Sequence, residues 1–96
     1  MDAAVVRFEL HVPASRSLKA KRAAIKPIVE GLRHRFSVSV AEVDHHDTWQ
    51  RAAIAVAVVA TDHRHVVEVL EEIERFVARA ADVDLLDSEI TWVEPS

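Results

Sequence analysis

The sequence predicts an α+β fold in which two helices cover one face of a four-stranded antiparallel sheet. Three observations lead to this prediction: segments with the alternation of strands, segments with the apolar spacing of helices, and the order of these segments along the chain. Half of the 96 residues are hydrophobic, which is enough for one core and leaves no room for a second. We therefore expect residues 1–96 to form a single ordered domain.

The first strand is predicted from Ala3 to Val12, because side chains alternate there and Pro13 ends the pattern. One face of this strand holds the apolar residues Val6, Phe8, Leu10 and Val12. The opposite face holds Val5, Arg7, Glu9 and His11. This pattern is typical of a half-buried strand.

The first helix is predicted to begin at Leu18, with Ser17 as its N-cap. Pro27 and Gly31 lie inside it and disfavour a helix by ~3 and ~1 kcal/mol respectively. The apolar stripe keeps its helical spacing across both residues, so we expect one helix, kinked near Ala23 to Pro27, and not two. The stripe comprises Leu18, Ile25, Ile28, Val29, Leu32 and Phe36.

The second and third strands are predicted from Phe36 to Asp44 and from Gln50 to Ala60. Only a short polar segment, His45–Thr48, separates them, which favours an antiparallel hairpin. A second amphipathic helix follows the capping residue Asp62, and a last strand covers Leu85–Val93.

The resulting order, βαββαβ, limits the topology. Each helix has a single apolar stripe, so both must cover the same face of the sheet. Right-handed crossovers then give the ferredoxin-like arrangement with strand order 4-1-3-2. The first and third strands are central in this order, and the other face of the sheet is left open.

Charge is distributed unevenly along the chain. Seven basic residues and one acid, Glu30, lie between Ser15 and Arg35, whereas four basic residues and thirteen acids follow Phe36. On a helical wheel Lys19, Arg22, Lys26 and Arg33 fall within roughly 60° of one another. The candidate RNA-binding residues are Arg16, Lys19, Lys21, Arg22, Lys26, Arg33 and Arg35.

Two other interpretations of this basic segment remain open. It could be a solvated helix face, although solvated faces usually mix both signs of charge. It could instead form ion pairs within the chain, with Glu42, Asp44 or Asp47 of the predicted hairpin as partners. Two basic residues lie outside the group of four on the helical wheel. Lys21 falls on the apolar side of the helix, and Arg35 falls at the edge of the group.

A second group of polar residues lies around the predicted hairpin. Its members are Asp44, His45, Asp47, Trp49 and Arg51. Two His and two Asp in the run 44–47 suit a metal site or general acid–base catalysis. Neighbours on an extended segment point to opposite sides, however, so the run cannot close a ligand shell by itself. We favour a polar hairpin turn and expect no metal, no cofactor and no enzyme activity; His45, Asp47 and Arg51 would be the cluster to test for an activity.

Trp49 has two interpretations. It could be a stacking platform for an unpaired base, or it could cover the core beneath the hairpin. We favour the second, because no other aromatic residue accompanies it in this segment.

The open sheet face would carry alanines and no aromatic residue. That composition disfavours base stacking on the sheet and favours association with another protein or a second copy of the chain.

Composition excludes several classes of site. Without Cys there are no disulfides, thiolate catalysis or cysteine-based zinc sites, and one glycine cannot build a glycine-rich phosphate loop. The longest uncharged run, Ala52–Thr61, is too short to cross a bilayer, and the N-terminal segment lacks the pattern of a signal peptide. We expect a cytoplasmic protein without a membrane partner.

Three segments together resemble the YlxP-like family of small bacterial proteins, a domain-of-unknown-function family. They are Ser17–Arg22, with the pattern S-L-K-x-K-R, then Arg35–His45 and Asp47–Ala52. The resemblance implies a ferredoxin-like fold and a gene placed among translation and ribosome-maturation factors. It thus suggests RNA or a ribosomal particle as partner, and it carries no catalytic residues. Pro27 and Ser37 depart from the family pattern, outside the S-L-K-x-K-R segment.

Overall fold

A computed structural model describes residues 1–93, which form four strands and two helices. In chain order the elements are β1 (Asp2–His11), α1 (Leu18–Arg35), β2 (Ser39–Asp44), β3 (Arg51–Ala60), α2 (His63–Ala78) and β4 (Asp84–Trp92). Within these residues no helix has the length and apolarity that crossing a membrane requires.

The sheet has the order β2-β3-β1-β4, and every neighbouring pair is antiparallel. This confirms the ferredoxin-like prediction. Val6 pairs with Val56 and Phe8 with Ile54, and all four side chains are buried beneath the helices. The opposite face places Arg7 beside Ala55 and Glu9 beside Ala53. A single register therefore separates a core face from an open face, as the alternation predicts.

Both helices begin at the predicted caps. The Ser17 hydroxyl accepts a hydrogen bond of 3.0 Å from the Ala20 amide, and the Asp62 carboxylate accepts one of 2.9 Å from the His65 amide. Each cap satisfies an amide of the first helical turn. Helix α1 continues through Pro27 to Arg35, in agreement with one helix.

The predicted start of the second strand is wrong. Phe36 caps the C-terminus of α1, and its amide donates to the Leu32 carbonyl at 3.0 Å, so β2 begins three residues later at Ser39. Phe36 and Val38 are half-buried against the core, and their alternation with Val40 imitates a longer strand.

Helix α1 approaches α2 closely at its one glycine. A Cβ at Gly31 would lie 2.5 Å from Cζ of Phe76, so a larger residue would require that ring to move. The Phe76 ring also contacts Phe36 edge-on, with the ring centroids 6.4 Å apart. The helix-weakening glycine is therefore explained by packing between the helices.

Candidate functional site

Lys21 lies in the interior, although it belongs to the group of candidate RNA-binding residues. The residue is 1% exposed. Its Nζ donates a hydrogen bond of 2.7 Å to the His45 carbonyl oxygen and lies 3.3 Å from Oε2 of Glu42. The Lys21 amine cannot reach a phosphate outside the protein, so ion pairing within the chain is the correct interpretation for this residue.

Glu9 occupies the centre of a charged network on the open sheet face. Its carboxylate accepts hydrogen bonds from Arg7 at 2.7 Å and from Arg51 at 2.8 Å, and His45 Nε2 lies 3.1 Å away. The Glu9 side chain is 18% exposed. The Arg7 hydrogen bond, supported by Arg51 and His45, lowers the pKa of Glu9 from 4.5 to about 2, against the opposing effect of burial.

Asp44 connects this network to the hairpin. Its carboxylate accepts from the His45 amide at 2.7 Å and from Arg7 at 3.2 Å, and these two bonds, the His45 one first, lower the pKa of Asp44. His45 has a φ of 61°, in the left-handed region that non-glycine residues seldom adopt. The hydrogen bond from its amide stabilises that turn.

We call these five residues, Arg7, Glu9, Asp44, His45 and Arg51, the Glu9 cluster. Three elements and the hairpin contribute to it, so it fixes the hairpin against the sheet. It also covers Ala53, which is fully buried although it belongs to the open face. Glu9 is ionised and its oxygens are engaged by three side chains, which makes it a poor general base.

The predicted hairpin group is only partly brought together. Asp44, His45 and Arg51 join the Glu9 cluster. Asp47 is exposed, and among residues 1–93 no hydrogen bond or ion pair of its side chain is found. The described part of the chain also contains no group of three or more His, Asp or Glu side chains arranged to hold a metal ion.

Sequence reasoning missed Glu9. The available signal was its position in β1, where it alternates with core residues next to Arg7 and His11 on the open face. The partners of Glu9 could not be predicted, because Arg7, Arg51 and His45 come from separate segments of the chain.

The preferred interpretation of Trp49 as a cover for the core is wrong. The residue is 54% exposed and is not among the side chains packed against the core. Its neighbour Gln50, and not Trp49, connects the hairpin to the segment before α1. The Gln50 carbonyl accepts a hydrogen bond from the Val12 amide at 2.9 Å, and its side-chain amide donates one to the Ser15 carbonyl at 3.2 Å. These bonds hold the base of the hairpin next to the loop before α1 and leave the indole outside.

The other basic residues of α1 and its preceding loop remain at the surface. Arg16, Lys19 and Arg22 are exposed, and no carboxylate among residues 1–93 lies within 4 Å of them. Lys26 lies 3.9 Å from Glu30 in an exposed pair. Arg33 donates to the Val40 carbonyl at 2.7 Å. We call Arg16, Lys19, Arg22 and Lys26 the basic face.

Arg35 has a different environment from the basic face. Its guanidinium lies over the Phe76 ring, 5.5 Å from the ring centroid. Such a cation–π contact leaves the N–H groups of the guanidinium available to a further partner.

Beyond the Glu9 cluster, the β3 part of the open sheet face is small and apolar. Ala55 is half-buried, Ala57 is exposed, and Val59 is 66% exposed. The open face therefore has a mildly apolar half on β3, and a charged half that comprises the Glu9 cluster together with Asp87 and Glu89 of β4.

Comparisons with known proteins agree with this fold and give no activity. A model of the family described as "Protein of unknown function (DUF503)" matches residues 3–90. The chain is 29% identical over 76 residues to "Uncharacterized protein YlxP" of Bacillus subtilis (strain 168), which covers 79% of this chain and 83% of that protein. Among solved structures it is similar to the de novo designed protein Foldit4, with a TM-score of 0.53 and 18% identity over 98% of this chain and 99% of the other. The likeness to Foldit4 concerns the fold alone.

Proposed function

The chain belongs to the DUF503 family of proteins of unknown function, and from its own surface we propose that it is a non-enzymatic accessory factor that binds RNA or a ribosomal particle. The basic face of α1 is the contact surface in this proposal. A cytoplasmic location is part of the same proposal, because ribosomal particles are found there.

The observation that carries the proposal is that three of the four residues of the basic face have no acidic partner, the exception being Lys26 beside Glu30. Arg16, Lys19 and Arg22 are exposed and have no carboxylate of residues 1–93 within 4 Å, in a chain with a formal net charge of −4. Unpaired cations in a row can each neutralise a phosphate and release its counterions. A face that served only for solubility would be expected to mix both signs.

The hairpin extends this surface. Lys21 holds the His45 carbonyl, and Gln50 holds the Ser15 carbonyl, so the hairpin is fixed beside the start of α1. Trp49 is exposed and directly precedes Gln50, the residue that contacts the loop carrying Arg16. In our proposal Trp49 stacks on an unpaired base while the basic face contacts the backbone.

The proposal is tested by sedimentation with ribosomal subunits. The parent protein is expected to co-sediment at low salt and to dissociate as salt is added. The triple variant K19E/R22E/K26E should stay in the supernatant. Co-sedimentation of the triple variant at the level of the parent would contradict the proposal.

A second candidate function is self-association through the apolar half of the open sheet face. The exposed Val59 and Ala57 favour it, since a flat face of small side chains permits close approach of a second copy. The substitution A55R should dissociate such an oligomer without unfolding the domain, whereas A78R, at an exposed position of α2, should not. A parent protein that scatters light as a monomer at every accessible concentration would remove this candidate.

A further inference from the structure

A groove with a volume of about 650 Å³ runs between α1 and α2 on the helical side of the molecule. Its α1 wall extends from Ala23 to Phe36, a distance of about 20 Å at 1.5 Å per residue. Its other wall extends along α2 to Asp82. The groove is long and open, which suits an extended occupant better than a compact small molecule.

Small side chains create the groove. Ala23, Ala24 and Pro27 form part of one wall, and Ala80 and Ala81 form part of the other. The two helices come together where Gly31 meets Phe76, and that aromatic ring is part of the groove lining, which we call the floor. Walls of alanine would let the backbone of a third helix approach closely.

Three arginines line this groove without acidic partners. No carboxylate among residues 1–93 lies within 4 Å of the guanidinium groups of Arg35, Arg75 or Arg79. Glu72 and Asp82 also line the groove, but neither forms an ion pair with them at that distance. The chain has more acids than bases, so three unpaired arginines around one groove of mixed polar and apolar lining point to an anionic partner.

We infer that this groove binds an acidic amphipathic helix of a partner protein. The leucine-like side chains of such a helix, spaced i, i+3, i+4 and i+7, would contact the floor around Phe76, and its carboxylates would pair with Arg35, Arg75 and Arg79. This surface differs from the basic face of the proposed function and needs a different partner.

A second copy of the chain does not supply this helix from residues 1–93. Helix α2 is amphipathic and its exposed face is rich in Glu, but its apolar side chains are buried in its own core. Those buried residues are Val66, Leu70, Ile73 and Val77. Helix α1 is basic. Neither helix of residues 1–93 therefore fits the groove, and the inference takes the occupant from a partner protein.

The test uses a fluorescent peptide of about 16 residues with leucine at the i, i+3, i+4 and i+7 positions and glutamate elsewhere. Anisotropy should show saturable binding below about 1 mM. The variant R75Q/R79Q should weaken binding at least about tenfold, and A23E, which adds a carboxylate to the groove, should weaken it about fivefold. The same peptide with lysine in place of glutamate should not bind.

Matched controls separate the groove from general charge attraction. R22Q/R64Q removes the same number of charges outside the groove, and A14E adds the same carboxylate to an exposed position of the loop before α1. Both should bind the peptide within about twofold of the parent. Amide chemical shifts of the parent should move around Phe76 when the peptide is added, which reports binding even if a variant folds poorly.

Three results would overturn the inference. One is no binding at about 1 mM peptide. Another is an equal loss of binding in the groove variants and the control variants. The third is a loss of RNA binding, and not of peptide binding, in R75Q/R79Q, which would assign the groove to nucleic acid.

Discussion

The amine of Lys21 donates a 2.7 Å hydrogen bond to the carbonyl oxygen of His45, and this bond joins the first turns of α1 to the β2–β3 hairpin. On the opposite side of the hairpin, the His45 ring contacts Glu9. One residue of the hairpin thus connects a buried lysine beneath the sheet to a charged cluster above it. Within the segment Ser17–Arg22, Lys21 therefore stabilises the fold, whereas Lys19 and Arg22 are exposed at the surface.

We expect Lys21→Met to destabilise the protein by about 2–4 kcal/mol, because it leaves the His45 carbonyl and the Glu42 carboxylate without their partner. Lys19→Met, at an exposed position, is the matched control and should change stability by less than about 0.5 kcal/mol. Urea unfolding of both variants measures the difference. Equal stabilities would show that the Lys21 contacts contribute nothing to the fold.

Because of the Glu9 cluster, we expect the folded protein to be less stable in acid. The pKa of Glu9 is about 2 in the folded protein, below its ordinary 4.5, so its ionised form stabilises the fold above pH 4.5. That contribution, at most about 3 kcal/mol, should disappear as the pH falls from 4.5 toward 2. Glu9→Gln should be less stable at neutral pH and should lose less stability on acidification. Parallel pH–stability curves for parent and variant would contradict this assignment.

Gly31→Ala tests the close approach of the two helices. Alanine is the better helix former by about 1 kcal/mol, but its Cβ would meet the Phe76 ring, and overpacking costs about 1–3 kcal/mol. We expect a net decrease in the melting temperature, which Phe76→Leu should partly restore in the double variant. A Gly31→Ala protein that melts above the parent would mean that the ring moves aside freely.

Trp49→Ala should affect binding more than stability. The exposed indole contributes little to the core, so unfolding should change by less than about 1 kcal/mol. In our proposal the same substitution weakens binding to single-stranded RNA by about 1–3 kcal/mol. Calorimetric melting and RNA titration of one preparation give both values. A large drop in melting temperature, with RNA binding retained, would reverse the assignment.

The sequence was sufficient for the fold because the fold depends on patterns that repeat. The alternation through Val6 and Phe8 sets the register of β1, and Ser17 and Asp62 mark the starts of the helices by local hydrogen bonds. The ends of strands are harder to predict, and the start of β2 is an example. Phe36 caps α1, but together with Val38 and Val40 it gives the alternating apolar pattern of a strand.

The partners of charged residues could not be read from the sequence in the same way. Lys21 shares a wheel sector with Ile25, Ile28 and Leu32, which indicated its direction but not its contacts. Its burial depends on the His45 carbonyl and Glu42, more than twenty positions later in the chain. Glu9 likewise needs three side chains from separate segments. Such pairings follow from the tertiary structure, since no periodicity encodes them.

The most direct test of the central claim compares R22E with R64E in binding to purified ribosomal RNA at several salt concentrations. Both residues are exposed near the start of a helix, and both substitutions change the net charge equally, although Arg64 has a surface partner, Glu68, at 3.3 Å. We predict that R22E weakens binding and lowers the slope of log affinity against log salt by about one, while R64E leaves both unchanged. Equal effects of the two substitutions, or binding that does not respond to salt, would contradict RNA recognition by the basic face of α1.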